Sequence, residues 1–219
     1  RFRCWQNARM YQYVIQAVHE AGPEKKAFIC GQMMFPEKGL LKSLEESGYS
    51  DIREFDTLER LDGHIPMVYD NNPKSFMENV GRTVKAVGKP VIPLTYSQMG
   101  YSPSEYVGYV THVGSRVLRQ NIIGAVAEGA KGAGIWVAGG MDGKDWIHFA
   151  QAANEIALLE DFFTSGKSDD GQFCMVKGLP EREYSIEVAG KKVPVQLPKW
   201  ENYLRARSFS STDRHLIIV

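Results

Sequence analysis

Gly88-Lys89-Pro90-Val91-Ile92-Pro93-Leu94-Thr95-Tyr96 and Gly134-Ile135-Trp136-Val137-Ala138 are the two stretches on which the fold turns. Each is a short apolar run, too brief for a helix. Between them, Ser102-Pro103-Ser104-Glu105 supplies an N-cap, a first-turn proline and a capping glutamate. The spacing predicts a helix from there to about Gly129. A strand that is apolar along its length is covered on both faces, and parallel neighbours need a crossover between them. The pair of runs with a helix between them is therefore expected to be a parallel β–α–β unit.

The same alternation extends outward in both directions. Upstream, Ile65–Asp70 reads as a strand, followed by a helix opened by Ser75 and Glu78 as a capping box and closed at Gly88. Ile52–Asp56 reads as a brief strand, with a short turn of helix up to Gly63. Ala27–Gln32 is another apolar run, and Leu40, Leu41 and Leu44 place a helix over residues 37–47. The stripe Met10, Tyr13, Val14, Ala17 and Val18 predicts a helix over residues 8–21, ended by Gly22-Pro23. Downstream, Phe149, Ala153, Ile156, Leu159 and Phe163 mark a helix over 145–164, stopped by Gly166. Five strand–helix cycles result, which is an α/β pattern.

At residues 165–171 the pattern changes to a polar linker. Beyond it lie Phe173–Val176, Tyr184–Val188, Val193–Leu197 and His215–Val219, short β-branched runs expected to pair antiparallel. Ala189-Gly190-Lys191-Lys192 reads as a hairpin tip. The expected domains are 1–167 and 168–219.

Lys plus Arg and Asp plus Glu both number 26, so the formal net charge is zero. That balance argues against nucleic acid and against an anionic membrane surface as partners. No apolar run reaches the length of a membrane-spanning helix. Cys4, Cys30 and Cys174 fit no metal or redox spacing, and Cys30 within Phe28-Ile29-Cys30 is expected to be a small buried hydrophobe. The five histidines show no metal-ligand spacing, so neither a catalytic metal nor another cofactor is expected. The start at Arg1, without a leader, and the end on Ile217-Ile218-Val219 lead us to expect a piece of a larger protein.

Gly88-Lys89-Pro90-Val91-Ile92-Pro93-Leu94, Glu128-Gly129-Ala130-Lys131-Gly132-Ala133-Gly134-Ile135-Trp136, Asp145-Trp146 and Asn154-Glu155-Ile156 together resemble the end of the barrel in TIM-barrel glycoside hydrolases. The resemblance implies the second half of a (β/α)8 barrel, strands four to eight, running into the start of a C-terminal β-sandwich. It further implies a poly- or oligosaccharide substrate and an extracytoplasmic or secreted protein. Half a barrel has two unpaired edges, so the remaining segment of the parent chain, or another copy, is expected to complete the ring.

In such a barrel the site lies at the carboxyl ends of the strands. That rule selects Asp70 and Asp56 as catalytic carboxyls. It selects Gln32, Tyr69, Asn71, Tyr96, Gln98, Trp136, Asp142 and Trp146 for substrate binding. Carboxylates and amides bond hydroxyls, and aromatic faces take the C–H side of a sugar ring. The alternatives are structural: Asp70 as a turn former, Asp56 and Asp145 as helix caps, Trp136 as barrel filling. One departure stands out. The largest clan of these enzymes carries a nucleophilic Glu near the end of strand seven, where this chain has Thr95-Tyr96-Ser97-Gln98. Either another pair of acids acts, or the missing half supplies an acid, or the barrel is a non-catalytic carbohydrate-binding or scaffold module.

Overall fold

The structure, a computed structural model, describes residues 2–31, 52–70, 72–96, 98–99, 111–112, 114–136, 141–168, 184–188, 191–195 and 205–218. It divides into two compact units, Arg1–Leu159 and Glu160–Val219. The expected boundary lay at residue 167. The helix just before that point belongs instead with the β-rich unit.

In the first unit, helix α1 (Phe2–Ala21) leads to strand β1 (Phe28–Gly31). Then come helix α2 (Ile52–Asp56), strand β2 (Gly63–Pro66) and helix α3 (Pro73–Ala86). Strand β3 (Leu94–Tyr96) follows, with a small antiparallel pair, β4 (Gln98–Met99) and β5 (Thr111–His112). Helix α4 (Ser115–Ala127), strand β6 (Gly134–Trp136) and helix α5 (Gly143–Leu158) complete the unit.

β1 pairs parallel with β2, and β3 pairs parallel with β6. Backbone bonds join the two pairs. His64 N–H donates to Pro90 O (2.8 Å), Ile92 N–H to His64 O (2.8 Å) and Val68 N–H to Leu94 O (3.0 Å). Pro66, between His64 and Val68, has no N–H to give, which removes one rung of this ladder. The strands therefore run β1, β2, β3, β6, neighbours in chain order and all parallel.

Side chains alternate across this sheet. Ile29, His64, Val91, Thr95 and Ile135 share one face by register. Ile29 packs with Ile52, Phe55 and Ile15, and Ile135 packs with Leu118 and Ile122. Thus the core lies between the sheet and the helices. α4 rests against α3 through Met77, Val80 and Ala125, and against α5 through Leu118, Ile122 and Ala152. The guanidinium of Arg119 grips Glu155 across that second contact, its Nε donating to Oε2 at 3.2 Å.

Several expectations give way. Ile52–Asp56 is a helix, not a strand. Ile52 and Phe55, both buried, stand three residues apart, which puts them on one helical face but on opposite faces of a strand. The helix before β6 begins at Ser115, because Thr111–His112 pairs with Gln98–Met99. The β-branched run Val110-Thr111, with Val113, favours that extended form. α3 is capped by Asn72 rather than Ser75, with Pro73 at its first position. On α1 the buried side is Ala8, Tyr11, Ile15 and Val18, so Met10, Tyr13 and Val14 face outward. Cys30 is exposed on the sheet face away from the helices. The helix expected over 37–47 and the strand over 173–176 lie outside the described residues.

The second unit holds helix α6 (Glu160–Thr164) and strands β7 (Lys167–Ser168), β8 (Tyr184–Val188), β9 (Lys191–Val195), β10 (Arg207–Ser210) and β11 (His215–Ile218). β10 pairs antiparallel with β11 and with β7, and β8 pairs antiparallel with β9. Phe163 meets Phe209 edge-to-face at 5.5 Å, and the Arg214 guanidinium lies over Phe162 at 5.1 Å. These contacts tie α6 to the antiparallel strands.

Candidate functional site

The carboxyl ends of parallel neighbours form one rim. Beyond β2 the chain runs through Met67, bridged to Leu94, and Val68 to Asp70, whose Oδ1 accepts from Asn72 N–H (2.9 Å). Asn72 Oδ1 in turn accepts from the N–H groups of Lys74 (3.0 Å) and Ser75 (3.4 Å). The end of the strand, the turn and the start of α3 are thus fixed as one unit.

Asn121, fully buried on α4, holds two strand ends together. Its Nδ2 donates to Thr95 Oγ1 (2.9 Å) and reaches Asp70 O at 3.4 Å. Tyr96 and Trp136 are register partners on β3 and β6. Trp136 is 50% exposed and lies on the sheet face away from the helices. Tyr96 and Trp136 on their strands, and Asp70 in the turn after β2, therefore lie at one rim. Gln98 follows two residues after Tyr96, in the β4–β5 pair.

Asp142 and Asp145 form a reciprocal capping box at the start of α5. Asp142 Oδ1 accepts from Lys144 N–H (2.8 Å) and Asp145 N–H (2.9 Å), while Asp145 Oδ2 accepts from Asp142 N–H (3.2 Å). Asp142 is thus a helix cap in this structure. Trp146, in the first turn, is half exposed and meets Phe149 edge-to-face at 6.0 Å. Tyr69 is half-buried beside Asp70. Gln32 and Asn71 lie outside the described residues.

Asp56 lies at the opposite end of the sheet. It closes α2, and its Oδ1 accepts from His64 Nε2–H at 2.8 Å, at the amino end of β2. Its Oδ2 accepts from Gly88 N–H (2.8 Å), and Lys89 Nζ donates to its backbone oxygen. Burial opposes its charge, but the bonds from Gly88 and His64 and the nearby Lys89 outweigh it and hold the carboxyl below its usual range. Burial pushes the His64 imidazole down, against the pull of Asp56, so the ring is held neutral. Asp56 therefore latches α2 to two strand starts, away from Asp70.

Sequence reasoning missed Asn121 and Thr95. The available signal was a lone amide in Asn121-Ile122-Ile123, since a polar group inside an apolar helix face needs a partner. Among the described residues no three His, Cys, Asp or Glu side chains gather to hold a metal ion, and no helix is long and apolar enough to cross a membrane. The fold is a mixed α/β one whose parallel strands bring Asp70, Tyr96 and Trp136 towards one rim. No known protein family, curated protein or solved structure matches the chain.

Proposed function

We propose that the chain forms the second half of a (β/α)8 barrel that acts on a poly- or oligosaccharide, with Asp70 as one catalytic carboxyl. The observation that carries this reading is the half-exposed Trp136 on the rim, with Tyr96 as its neighbour and Asp70 in the turn after β2. A flat apolar face on a rim that also carries an acid suits the C–H face of a pyranose and its glycosidic oxygen.

Glycoside hydrolysis commonly needs two carboxyl groups across the scissile bond. Asp56 is spent on His64, and Asp142 caps α5, so the second acid comes from the βα units that complete the ring. A second reading is a carbohydrate-binding module without hydrolysis. It is favoured by the β3 rim, where Thr95 and Tyr96 replace the expected acid.

The test is reducing-sugar release and calorimetric binding with xylan, laminarin, β-glucan and mannan. Asp70→Asn should lower hydrolysis by about 10²–10⁴-fold and leave binding in place. Trp136→Ala should weaken binding. Binding without cleavage in the wild type selects the second reading, and neither binding nor cleavage ends both.

A further inference from the structure

The first unit presents apolar surface where another βα layer would pack. On the sheet face away from the helices, Phe28 is 39% and Trp136 50% exposed. α1 turns Met10, Tyr13 and Val14 outward at 57%, 75% and 55% exposure. Those positions recur at helical spacing, so they form a stripe that a helix would cover. At the other end of the unit, Trp146, Ala153 and Ala157 lie on the exposed side of α5, away from Glu155 and its α4 partner Arg119. Their spacing again fits a helix, and the two alanines permit close approach. Among the described residues, β1 pairs only with β2 and β6 only with β3.

We propose that this surface is the interface between two copies of this chain. A two-fold axis parallel to the strands keeps every strand parallel. It sets β6 of each copy beside β1 of the other, and α5 of each beside α1 of the other. Four strands from each copy then make a ring of eight, closed with no edge left over. The complementary halves of the joint, an aromatic and aliphatic stripe on α1 and a small-residue stripe on α5, are both carried by this chain. A net charge of zero removes bulk repulsion between copies. The rim of such a ring carries Asp70 twice. Resting on the carbohydrate reading, this makes Asp70 of the second copy the missing second carboxyl.

Sedimentation equilibrium on the chain without glycan tests the assembly apart from the activity. The wild type should be a dimer. Tyr13→Asp and Ala153→Arg each strike one side of the joint, and each should weaken dimerisation at least about 30-fold. Lys85→Glu, on exposed α3 surface, should leave it unchanged. Hydrogen exchange should show protection of residues 10–17 and 146–157 lost together on dilution. A wild-type monomer at high micromolar concentration, or a dimer unaffected by both variants, overturns the proposal. A glycan-inactive dimer leaves the assembly standing and sinks only the sugar reading.

Discussion

His64 and Asp56 show how one pair of side chains decides where chemistry is absent. The ring of His64 is fully buried, and its Nδ1 has no hydrogen-bond partner among the described residues. Protonating it would put a charge among apolar groups beside Lys89. The folded chain therefore binds this proton less readily than the unfolded one, whose histidine titrates near its ordinary 6.5. The unfolded state takes up more protons as pH falls, so stability is full above 6.5 and is lost as pH drops through the lowered folded value. Asp56 adds a second loss in the same direction below its ordinary 3.8. Urea midpoints measured from pH 8 to pH 4 should fall in wild type, and His64→Gln should flatten the upper part of that fall. Asp56→Ala leaves the buried imidazole without its acceptor and should cost about 1–3 kcal/mol. It should not change any glycan cleavage beyond its effect on folding, whereas Asp70→Asn should do the reverse.

Elements follow from short-range rules where local signals and tertiary packing agree. α4 ends at Gly129, whose φ is +97°, with Gly129 N–H donating to Val126 O (2.9 Å) and Ala130 N–H to Ala125 O (3.1 Å). That reversal delivers Lys131 N–H to Val91 O (2.9 Å) and starts β6 beside β3. A side chain at 129 would be strained in its backbone and would press on Val84. Gly129→Ala should therefore destabilise the fold by more than about 1 kcal/mol in chemical denaturation. Asn72→Ala removes the cap of α3 and should cost about 1 kcal/mol. Both sites lie in stretches whose strand–helix alternation was legible from the sequence. The strands at Ile29, Ile65, Leu94 and Ile135 were readable because each apolar run is too short for a helix and is flanked by glycine or proline. Ile52–Asp56 was not, since five residues cannot establish a period, and only the joint burial of Ile52 and Phe55 decides it. The α1 stripe misled for another reason. The helix has apolar residues on two sides, and periodicity cannot say which side meets β1. At the site, Asp70 and Trp136 were legible as strand ends, while Asn121 depended on contacts that only the folded chain brings together.

At the scale of the whole molecule, an exposed apolar sheet face is the feature that most needs an occupant. Isolated surface hydrophobes are ordinary, but a face flanked by two outward apolar helix stripes is where the proposed second copy would pack. Cys30 reports on it directly, because its thiol stands on that face on β1, which among the described residues pairs only with β2. Burial pushes this thiol above its ordinary 9.0, so its reaction with a maleimide should be slow at pH 7 and quicken as pH rises. With Cys4→Ser and Cys174→Ser in the background, the labelling rate becomes a measure of closure. Ring closure places a second sheet face opposite Cys30 and should suppress labelling as protein concentration rises. Tyr13→Asp, which opens the joint without touching the sheet, should restore the single chain's labelling rate at every concentration. A rate that ignores both concentration and Tyr13→Asp would mean that no second copy covers the face, and the strands would then need another partner to shield them.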